Sequence, residues 1–343
     1  MKTKLIEFNS NRENINLIKE TIQSGELIAF PTETVYGLGA DGLNEEAVKK
    51  IFQVKGRPQD NPLILHIENM EMLKELVEGD LSKAKDLIDK FWPGPLTLVL
   101  KKSKIVPEII TAGLDTVAIR MPNNEIALEI IKISNRPIAA PSANISGRPS
   151  PTDAKTCMED LEGKIPLIID GGNTLVGLES TVLDITEEVP TILRPGAITL
   201  EDIQEILPNV VVDKGILKSG EKPKSPGQKY KHYAPKAEAY LISGSSDEEK
   251  ESKIYEFLKK NKEKKVSLMV TSELYNKIDN LNLEIIDLGS RDNLEKIASE
   301  IFRSLRTLDK NCVDVILCEE ITKEGIGLAI MNRLEKSTQN RHI

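Results

Sequence analysis

Short apolar runs alternate with amphipathic segments along the first 200 residues, as expected for strands followed by helices. Strands are predicted at 26–32, 62–67, 96–101, 116–122, 137–143, 166–170, 179–185 and 191–194. Helices are predicted at 44–54, 70–78, 82–91 and 124–134. Asn44 is expected to cap the first of these helices, with Glu45 and Glu46 in its first turn. This part of the chain is therefore predicted to be α/β with a large, twisted mixed sheet.

A simpler rhythm follows near the C-terminus. Strands are predicted at 239–243, 266–270, 284–287 and 313–318, separated or followed by helices at 247–260, 272–277, 293–308 and 325–336. This spacing predicts a smaller, Rossmann-like parallel α/β domain. Its first strand is followed by SGSSDEE rather than a glycine-rich turn, and those acids would repel a phosphate. We do not expect this domain to bind a dinucleotide.

Between these regions lies KSGEKPKSPGQKYKHYAPKA, at 218–237, which has three prolines, two glycines and no apolar period. We therefore predict a first domain at 1–213, a basic linker at 214–237 and a second domain at 238–343. A connection of this length is typically functional or disordered. The aromatic residues Tyr230, His232 and Tyr233 offer it anchoring points.

The 343 residues carry a net charge of -8 that is unevenly distributed. The segment 214–237 carries +6, whereas 1–213 carries -11 and 238–343 carries -3. A basic strap of this kind could meet nucleotide phosphates or RNA, or could be a solvated linker. The acidic first domain argues against binding to a phosphate backbone as the main activity.

Several features predict a cytoplasmic protein without a membrane segment. No apolar run approaches the ~20 residues that span a bilayer, and the lysines of MKTKLIEFNS are not followed by the apolar region of a signal peptide. The three cysteines, Cys157, Cys312 and Cys318, do not have the spacing of metal ligands. We expect them to be buried or inert thiols in a reducing compartment.

The motif KGRPQDNP places Lys55 and Arg57 two residues apart after a predicted helix. In an extended chain they would point to the same side and could hold a triphosphate, with Asn61 as a further donor. A basic surface loop is the alternative.

The motif PSANISG places Ser142 and Asn144 after a predicted strand, where α/β sheets often receive ligands. A simple turn is the alternative there.

Other polar residues stand at the ends of apolar strands. Arg120 lies near the end of TVAIRMP, and burying it would require a carboxylate from the protein or from a substrate. His66 ends PLILHI and could be a structural hydrogen-bonding residue. Thr34 lies in PTETVYGLG, Ser180 begins STVLDI and Arg194 ends TILRP. The sequence therefore predicts one pocket for phosphates and a small polar substrate.

Together these motifs resemble the YrdC-like threonylcarbamoyl-AMP synthase family. They occur in the family's order: PTETVYGLGADG, KGRPQDNPLILHI, WPGPLTLVL, VAIRMPNN, PIAAPSANISGRPSPT, IIDGG, ESTVLDI and LRPGAIT. The family signature, K-x-R with S-x-N, corresponds to Lys55, Arg57, Ser142 and Asn144. The linker and the ending GIGLAIMNRLEKS are similar to the longer, two-domain branch.

The resemblance implies an enzyme that makes L-threonylcarbamoyladenylate and pyrophosphate from L-threonine, bicarbonate and ATP. It implies catalytic roles for the four signature residues. For ATP it implies Arg57, Asn61, Thr116, Ala140, Ser142, Arg194 and Tyr233, the last within a linker that closes as a lid. For threonine it implies Thr34, His66, Arg120, Ser142 and Ser180.

The resemblance also implies partners. Mg²⁺ would come with the ATP, although no acidic cluster predicts a metal site in the chain. The product would serve t6A modification of adenosine 37 in tRNA by the threonylcarbamoyl-transferase machinery. The chain would bind tRNA directly or be linked to it only through that machinery. Two alternatives are a carbamoyltransferase of the same domain type, which would carry zinc-finger regions that this chain lacks, and an RNA-binding module.

Overall fold

The computed structural model describes residues 2–8, 11–213 and 233–343. The chain forms two compact units. The first comprises Met1–Ser146 and Ser150–Tyr230, and the second comprises Gly147–Pro149 and Lys231–Ile343. Most of the predicted linker, 214–232, lies outside the described residues, while its last residues, from Tyr233 onwards, belong to the second unit.

The first unit contains one large sheet with helices on both faces. Its strands are Lys4–Glu7 (β1), Ile28–Phe30 (β2), Gly37–Asp41 (β3), Ile64–His66 (β4), Leu96–Lys101 (β5), Thr116–Arg120 (β6), Ile138–Ala139 (β7), Leu167–Asp170 (β8), Thr181–Asp184 (β9), Thr191–Arg194 (β10) and Val211–Val212 (β11). Its helices are Arg12–Gln23 (α1), Glu45–Lys55 (α2), Met70–Leu76 (α3), Ser82–Phe91 (α4), Glu108–Thr111 (α5), Glu125–Ser134 (α6), Ala154–Leu161 (α7) and Leu200–Gln204 (α8).

The strand order is β1-β8-β2-β3-β7-β4-β6-β5-β9-β10-β11, with parallel and antiparallel pairs. Alternation along each strand separates the two faces. In β2, Ala29 faces the larger apolar cluster, together with α2, α3, α4, α5, α7 and α8, whereas Ile28 and Phe30 face a second cluster with α1 and α6. The predicted large mixed sheet is therefore confirmed.

Local signals explain why several helices begin where they were predicted. The Asn44 side chain accepts hydrogen bonds from the backbone N–H groups of Glu46 and Ala47, so it caps α2 as predicted. Asn124 caps α6 in the same way, through the N–H of Ala127. The predicted strand 137–143 is shorter than expected, since β7 covers only two residues and Pro137 and Pro141 flank it without N–H donors.

The second unit is a four-stranded parallel sheet, as predicted. Its strands are Glu238–Ile242 (β12), Val266–Val270 (β13), Glu284–Asp287 (β14) and Val315–Glu319 (β15), in the order β12-β15-β13-β14. Its helices are Asp247–Lys260 (α9), Ser272–Ile278 (α10), Leu294–Lys310 (α11) and Gly327–Thr338 (α12). An apolar cluster that includes Ile254, Leu268, Leu274 and Leu317 forms its core.

The carboxyl ends of these strands are occupied by an internal ionic network. The fully buried carboxylate of Glu319 accepts from Lys250 Nζ at 2.9 Å and from Arg291 Nη2 at 2.5 Å. Its other oxygen accepts from the backbone N–H and the hydroxyl of Thr271. Ligands of parallel α/β sheets usually bind at this end. Here Lys250, Arg291 and Thr271 already satisfy the central carboxylate.

Among the described residues, no helix has both the length and the apolar composition needed to cross a membrane. Cys157 and Cys318 are buried, as expected, whereas Cys312 is exposed.

We predict that Glu319→Gln lowers the free energy of unfolding of the second unit by about 3 kcal/mol, because it leaves the Lys250 ammonium buried without its countercharge. Calorimetric unfolding of the full chain measures this. Glu256→Gln is the matched control: it removes an exposed partner of Lys260, and we expect a change below about 0.5 kcal/mol. Equal free energies of unfolding for the two variants would contradict the proposed stabilisation of the second unit by Glu319.

Candidate active site

Strand β6 shows how the fold directs polar side chains to one face of the large sheet. Val117 and Ile119 belong to the larger apolar cluster on one face, while Ala118 belongs to a separate small cluster on the other. Because successive side chains alternate, Thr116 and Arg120 share the face of Ala118. Arg120, a charged residue, therefore ends β6 on the face opposite the apolar side chains of Val117 and Ile119.

Polar side chains from neighbouring strands line up beside Arg120. In the parallel β4–β6 pair, His66 lies opposite Arg120. The antiparallel β5–β6 register, continued by one residue, brings Thr97 to the other side of Arg120. The Thr97 hydroxyl is 2.7 Å from the hydroxyl of Ser180, and Arg194 donates to that serine. With strands about 4.8 Å apart, this row crosses five adjacent strands, from β4 to β10.

The buried guanidinium of Arg120 is held from three directions. Its Nε donates to the carbonyl oxygen of Gly94 at 3.1 Å, and its Nη1 donates to the hydroxyl of Thr34 at 2.9 Å. Its Nη2 lies 2.6 Å from a carboxylate oxygen of Glu33. The same oxygen accepts from the backbone N–H of Asn123. The carboxylate that a buried arginine requires is thus supplied by the protein, in the loop between β2 and β3.

His66 is a neutral group in this row. Burial, reinforced by the positive charges of Arg120 and Arg194, lowers the pKa of His66 to about 3. The ring is 4% exposed, and within the described ranges its Nδ1 has no hydrogen-bond partner. A neutral imidazole can donate or accept a hydrogen bond but adds no charge beside the two arginines.

Arg194 is oriented by Ser180 at the start of β9. Its Nε donates to the carbonyl oxygen of Ser180 at 3.0 Å and its Nη2 donates to the hydroxyl at 3.1 Å. The following turn passes very close to the backbone there. A Cβ on Gly196 would lie 2.3 Å from the backbone nitrogen of Thr181, so only glycine fits. The RPG motif therefore carries Arg194 against Ser180.

The prediction that Lys55 and Arg57 extend side by side is wrong in its geometry. Lys55 is the last residue of α2, and Gly56 caps the helix in the left-handed region with φ 60°. The Lys55 ammonium donates to the carbonyl oxygens of Ser142 and Asn144 and lies 3.5 Å from Asn144 Oδ1. Burial, and secondarily the charge of Arg57, lowers the pKa of Lys55 well below its usual value. Lys55 thus fastens the S-x-N segment.

The S-x-N segment is held on its other side by β3. The carbonyl oxygen of Pro141 accepts from Leu38, and Ser142 forms an isolated bridge with Gly37. The Ser142 hydroxyl donates to Asn144 Oδ1 at 2.5 Å. Ala140 joins the same region, because its N–H donates to the carbonyl oxygen of Ile64 in β4.

Arg57 and Asn61 lie between α2 and β4. Arg57 Nη2 donates to the carbonyl oxygen of Asn61 at 3.3 Å and to that of Pro62 at 3.0 Å. Asn61 is 1% exposed, and its Oδ1 has no hydrogen-bond partner in the part of the chain that the structure describes. The arginine side chain is therefore directed by the loop that leads into β4, two residues before Ile64.

Two sequence-predicted residues do not join this group. Thr116 shares the face of Arg120 but lies four residues along β6, about 13 Å away, and borders a 550 Å³ cavity with Lys101, Asp115 and Glu187. Tyr233 is buried in the second unit, where its ring centroid lies 5.1 Å from that of Phe302. Their proposed nucleotide contacts remain predictions.

Two residues of the site were missed by the sequence reasoning. Glu33 is enclosed within PTET, and its pairing with Arg120 depends on a contact between distant segments. Thr97 interrupts the apolar run LTLVL, a signal that could have identified it. A polar residue at a core position of a strand requires a partner, and here the partner is Ser180.

Among the described residues, no group of three or more histidine, cysteine or acidic side chains could hold a metal ion. Glu33, the carboxylate beside Arg120, is already engaged by that arginine and by Asn123. These residues do not offer a ligand set for a resident metal.

The large mixed sheet with buried, oriented cations, followed by a parallel α/β domain, defines a two-domain protein of the YrdC-like class. A sequence profile described as telomere recombination matches residues 20–196. A second, described as threonylcarbamoyl-AMP synthase, C-terminal domain, matches residues 198–338.

Individual relatives agree with these profiles. The threonylcarbamoyl-AMP synthase of Pyrococcus abyssi is 51% identical over 323 residues, covering 94% of this chain and 93% of the relative. That of Bacillus subtilis is 45% identical over 342 residues, covering 98% and 96%. The crystal structure of P. abyssi Sua5 complexed with L-threonine matches with a TM-score of 0.92 and 48% identity, covering 100% of this chain and 99% of that one. This chain belongs to the threonylcarbamoyl-AMP synthase family, in its two-domain Sua5 form.

We predict that the imidazole of His66 stays neutral from pH 8 to pH 5, because its pKa is far below the usual 6.5. Ring NMR signals measured across this range should therefore keep the neutral chemical shifts for His66. The spectrum of His66→Asn assigns the signal by its loss. A His66 ring that titrates near pH 6.5 would contradict the buried, cation-flanked environment.

Proposed function

We propose that this protein is an L-threonylcarbamoyladenylate synthase, which joins L-threonine, bicarbonate and ATP and releases pyrophosphate. The observation that carries the proposal is the guanidinium of Arg120, which is opposite His66, bound to Thr34 and in one row with the Ser180–Arg194 pair through Thr97. Such a row suits a small amino acid beside the phosphates of a nucleotide. Family membership supports the same activity.

In this proposal the carboxylate of threonine binds Arg120. The guanidinium has five N–H donors. Two of them are used by hydrogen bonds to Gly94 and Thr34, and Nη2 forms an ion pair with Glu33 at 2.6 Å. The contact with Glu33 fixes the plane of the fork before a ligand arrives, so little ordering is left to do on binding. Hydroxyls of Thr34 and Ser180 and the neutral His66 ring then recognise the amino and hydroxyl groups.

The phosphates of ATP would be received by Arg57 and Arg194. Both side chains are nine-tenths or more buried and are directed by backbone carbonyl oxygens, so they are pre-oriented. Asn61, Ala140, Ser142 and Asn144 would line the same region, with Ser142 between the two substrates. Lys55 would act mainly by holding the S-x-N segment, because its ammonium already donates to the carbonyl oxygens of Ser142 and Asn144.

The proposed reaction has two steps. The free amine of threonine attacks the carbon of bicarbonate, forming a C–N bond and releasing water, which gives a carbamate. A carbamate oxygen then attacks the α-phosphorus, and the bond to the β-phosphate oxygen breaks as pyrophosphate leaves with the electron pair. Positioning and neutralisation of phosphate charge supply most of the catalysis in such transfers.

Mg²⁺ enters this proposal only as an ion carried by the ATP phosphates. Magnesium commonly keeps several waters and binds through substrate phosphates, which fits a chain whose described residues offer no ligand set. The product would be used by a threonylcarbamoyl transferase acting on adenosine 37 of tRNA, and binding of tRNA by this chain is not required for adenylate synthesis.

The direct test is incubation of the purified full chain with ATP, labelled bicarbonate and L-threonine. We expect a labelled adenylate and one pyrophosphate per product, with both absent when threonine or bicarbonate is omitted. Other amino acids, supplied singly, serve as controls. Pyrophosphate release that does not depend on threonine would contradict the proposal.

Arg120→Lys tests the threonine contact. We expect the threonine KM to rise about 10- to 100-fold, because loss of a charged, forked hydrogen bond removes about 1.5–3 kcal/mol, while the ATP KM changes little. Arg136→Lys is the matched control, since Arg136 is half exposed and lies 3.6 Å from Asp41 outside the row. An unchanged threonine KM in Arg120→Lys would refute the assignment.

A further inference from the structure

Three residues of the S-x-N motif's own loop belong to the second compact unit. Gly147, Arg148 and Pro149 are grouped with Lys231–Ile343, although the residues on either side, Ser146 and Ser150, belong to the first unit. Gly147 follows Asn144 by only three residues. The second unit therefore includes a covalent continuation of the loop that carries Ser142 and Asn144.

Three hydrogen bonds, from Ala234 and Arg306, attach this segment within the second unit. The N–H of Ala234 donates to the carbonyl oxygen of Gly147 at 2.8 Å. The guanidinium of Arg306, in α11, donates through Nε at 3.0 Å and also through Nη2 to the carbonyl oxygen of Pro149. Arg306 is 4% exposed, and a charged donor that forks onto one buried carbonyl is among the stronger protein hydrogen bonds.

One face of α11 organises these contacts. Phe302, Arg306 and Asp309 have the spacing i, i+4, i+7, which places them along one side of the helix. The ring of Phe302 packs against Tyr233, and Asp309 accepts from the backbone N–H groups of Lys236 and Ala237. This face of α11 therefore contacts the chain on both sides of Ala234, and through Arg306 it bonds Pro149 directly.

The other end of the same loop is fastened inside the first unit. Lys55 donates to the carbonyl oxygens of Ser142 and Asn144, and its own carbonyl oxygen accepts from Ser146 at 2.9 Å. The eight residues from Ser142 to Pro149 are therefore held at both ends. Loss of either attachment would give Ser142 and Asn144 additional conformations and reduce the fraction that is ready to bind nucleotide.

We propose that the C-terminal unit positions the S-x-N loop through Arg306, which makes Arg306 a positioning residue for the adenylation site. The kinetic part of this inference rests on the proposed function, whereas the structural part does not. It assigns the second unit a part in the adenylation reaction that acts through the position of the S-x-N loop.

The test compares Arg306→Ala and Arg306→Lys with the matched control Arg303→Ala. Arg303 lies one turn earlier in α11, is 39% exposed and pairs with Glu300 on the same helix. Hydrogen exchange of the peptide at 145–152, which contains the Ser146 amide, should quicken about tenfold or more in both Arg306 variants. We expect their kcat/KM for ATP to fall by about tenfold, and the control to match the wild type in both measurements.

Faster exchange confined to 145–152, together with the lower kcat/KM, supports the proposal. An exchange rate equal to that of the wild type in this peptide would overturn it. Faster exchange together with an unchanged kcat/KM would also overturn it. Faster exchange spread through β13 and β15 would instead assign Arg306 to folding of its unit and would also overturn it. If the wild-type protein makes no adenylate, the proposed function fails, and the exchange data alone decide whether Arg306 holds the loop.

Discussion

The candidate site depends on holding positive charge inside an α/β sheet. A guanidinium that leaves water must be paired or hydrogen-bonded on several sides. Arg120 meets this need with groups from two segments that are distant from it in the chain, Glu33 with Thr34 and the carbonyl oxygen of Gly94. The fold must bring those segments together before any substrate binds. The same arrangement leaves buried, pre-oriented guanidinium groups that suit a carboxylate or a phosphate.

Hydrogen bonds among the site residues divide them into contact groups and positioning groups. Arg120 and Arg194 are directed by oxygens of Thr34 and Ser180. Lys55 is a positioning group, because its ammonium donates hydrogen bonds to the backbone carbonyl oxygens of Ser142 and Asn144. Arg306 plays the corresponding part at Pro149, on the other side of the loop. In this chain, three residues of the K-x-R and S-x-N motifs, Lys55, Ser142 and Asn144, are thus bonded to one another within a single loop region.

Much of this could be predicted from sequence because local patterns encode it. Alternation in TVAIR places Arg120 on the face opposite the main core, and Asn44 marks the start of α2. The strand order β4-β6-β5-β9-β10, which puts His66, Arg120 and Ser180 in one row, depends on long-range pairing that no local pattern reveals. The misplacement of Lys55 arose from one left-handed residue, Gly56, which ends the helix instead of extending the chain. The contact of Arg306 with Pro149 spans 157 residues and could not be inferred from either segment alone.

A crystal structure of this protein with L-threonine and a non-hydrolysable ATP analogue would show whether the oriented, buried cations bind an amino acid beside a nucleotide. We expect the threonine carboxylate within hydrogen-bonding distance of Arg120 and the phosphates within reach of Arg57 and Arg194. Threonine bound away from Arg120, or phosphates on an unrelated surface, would contradict it.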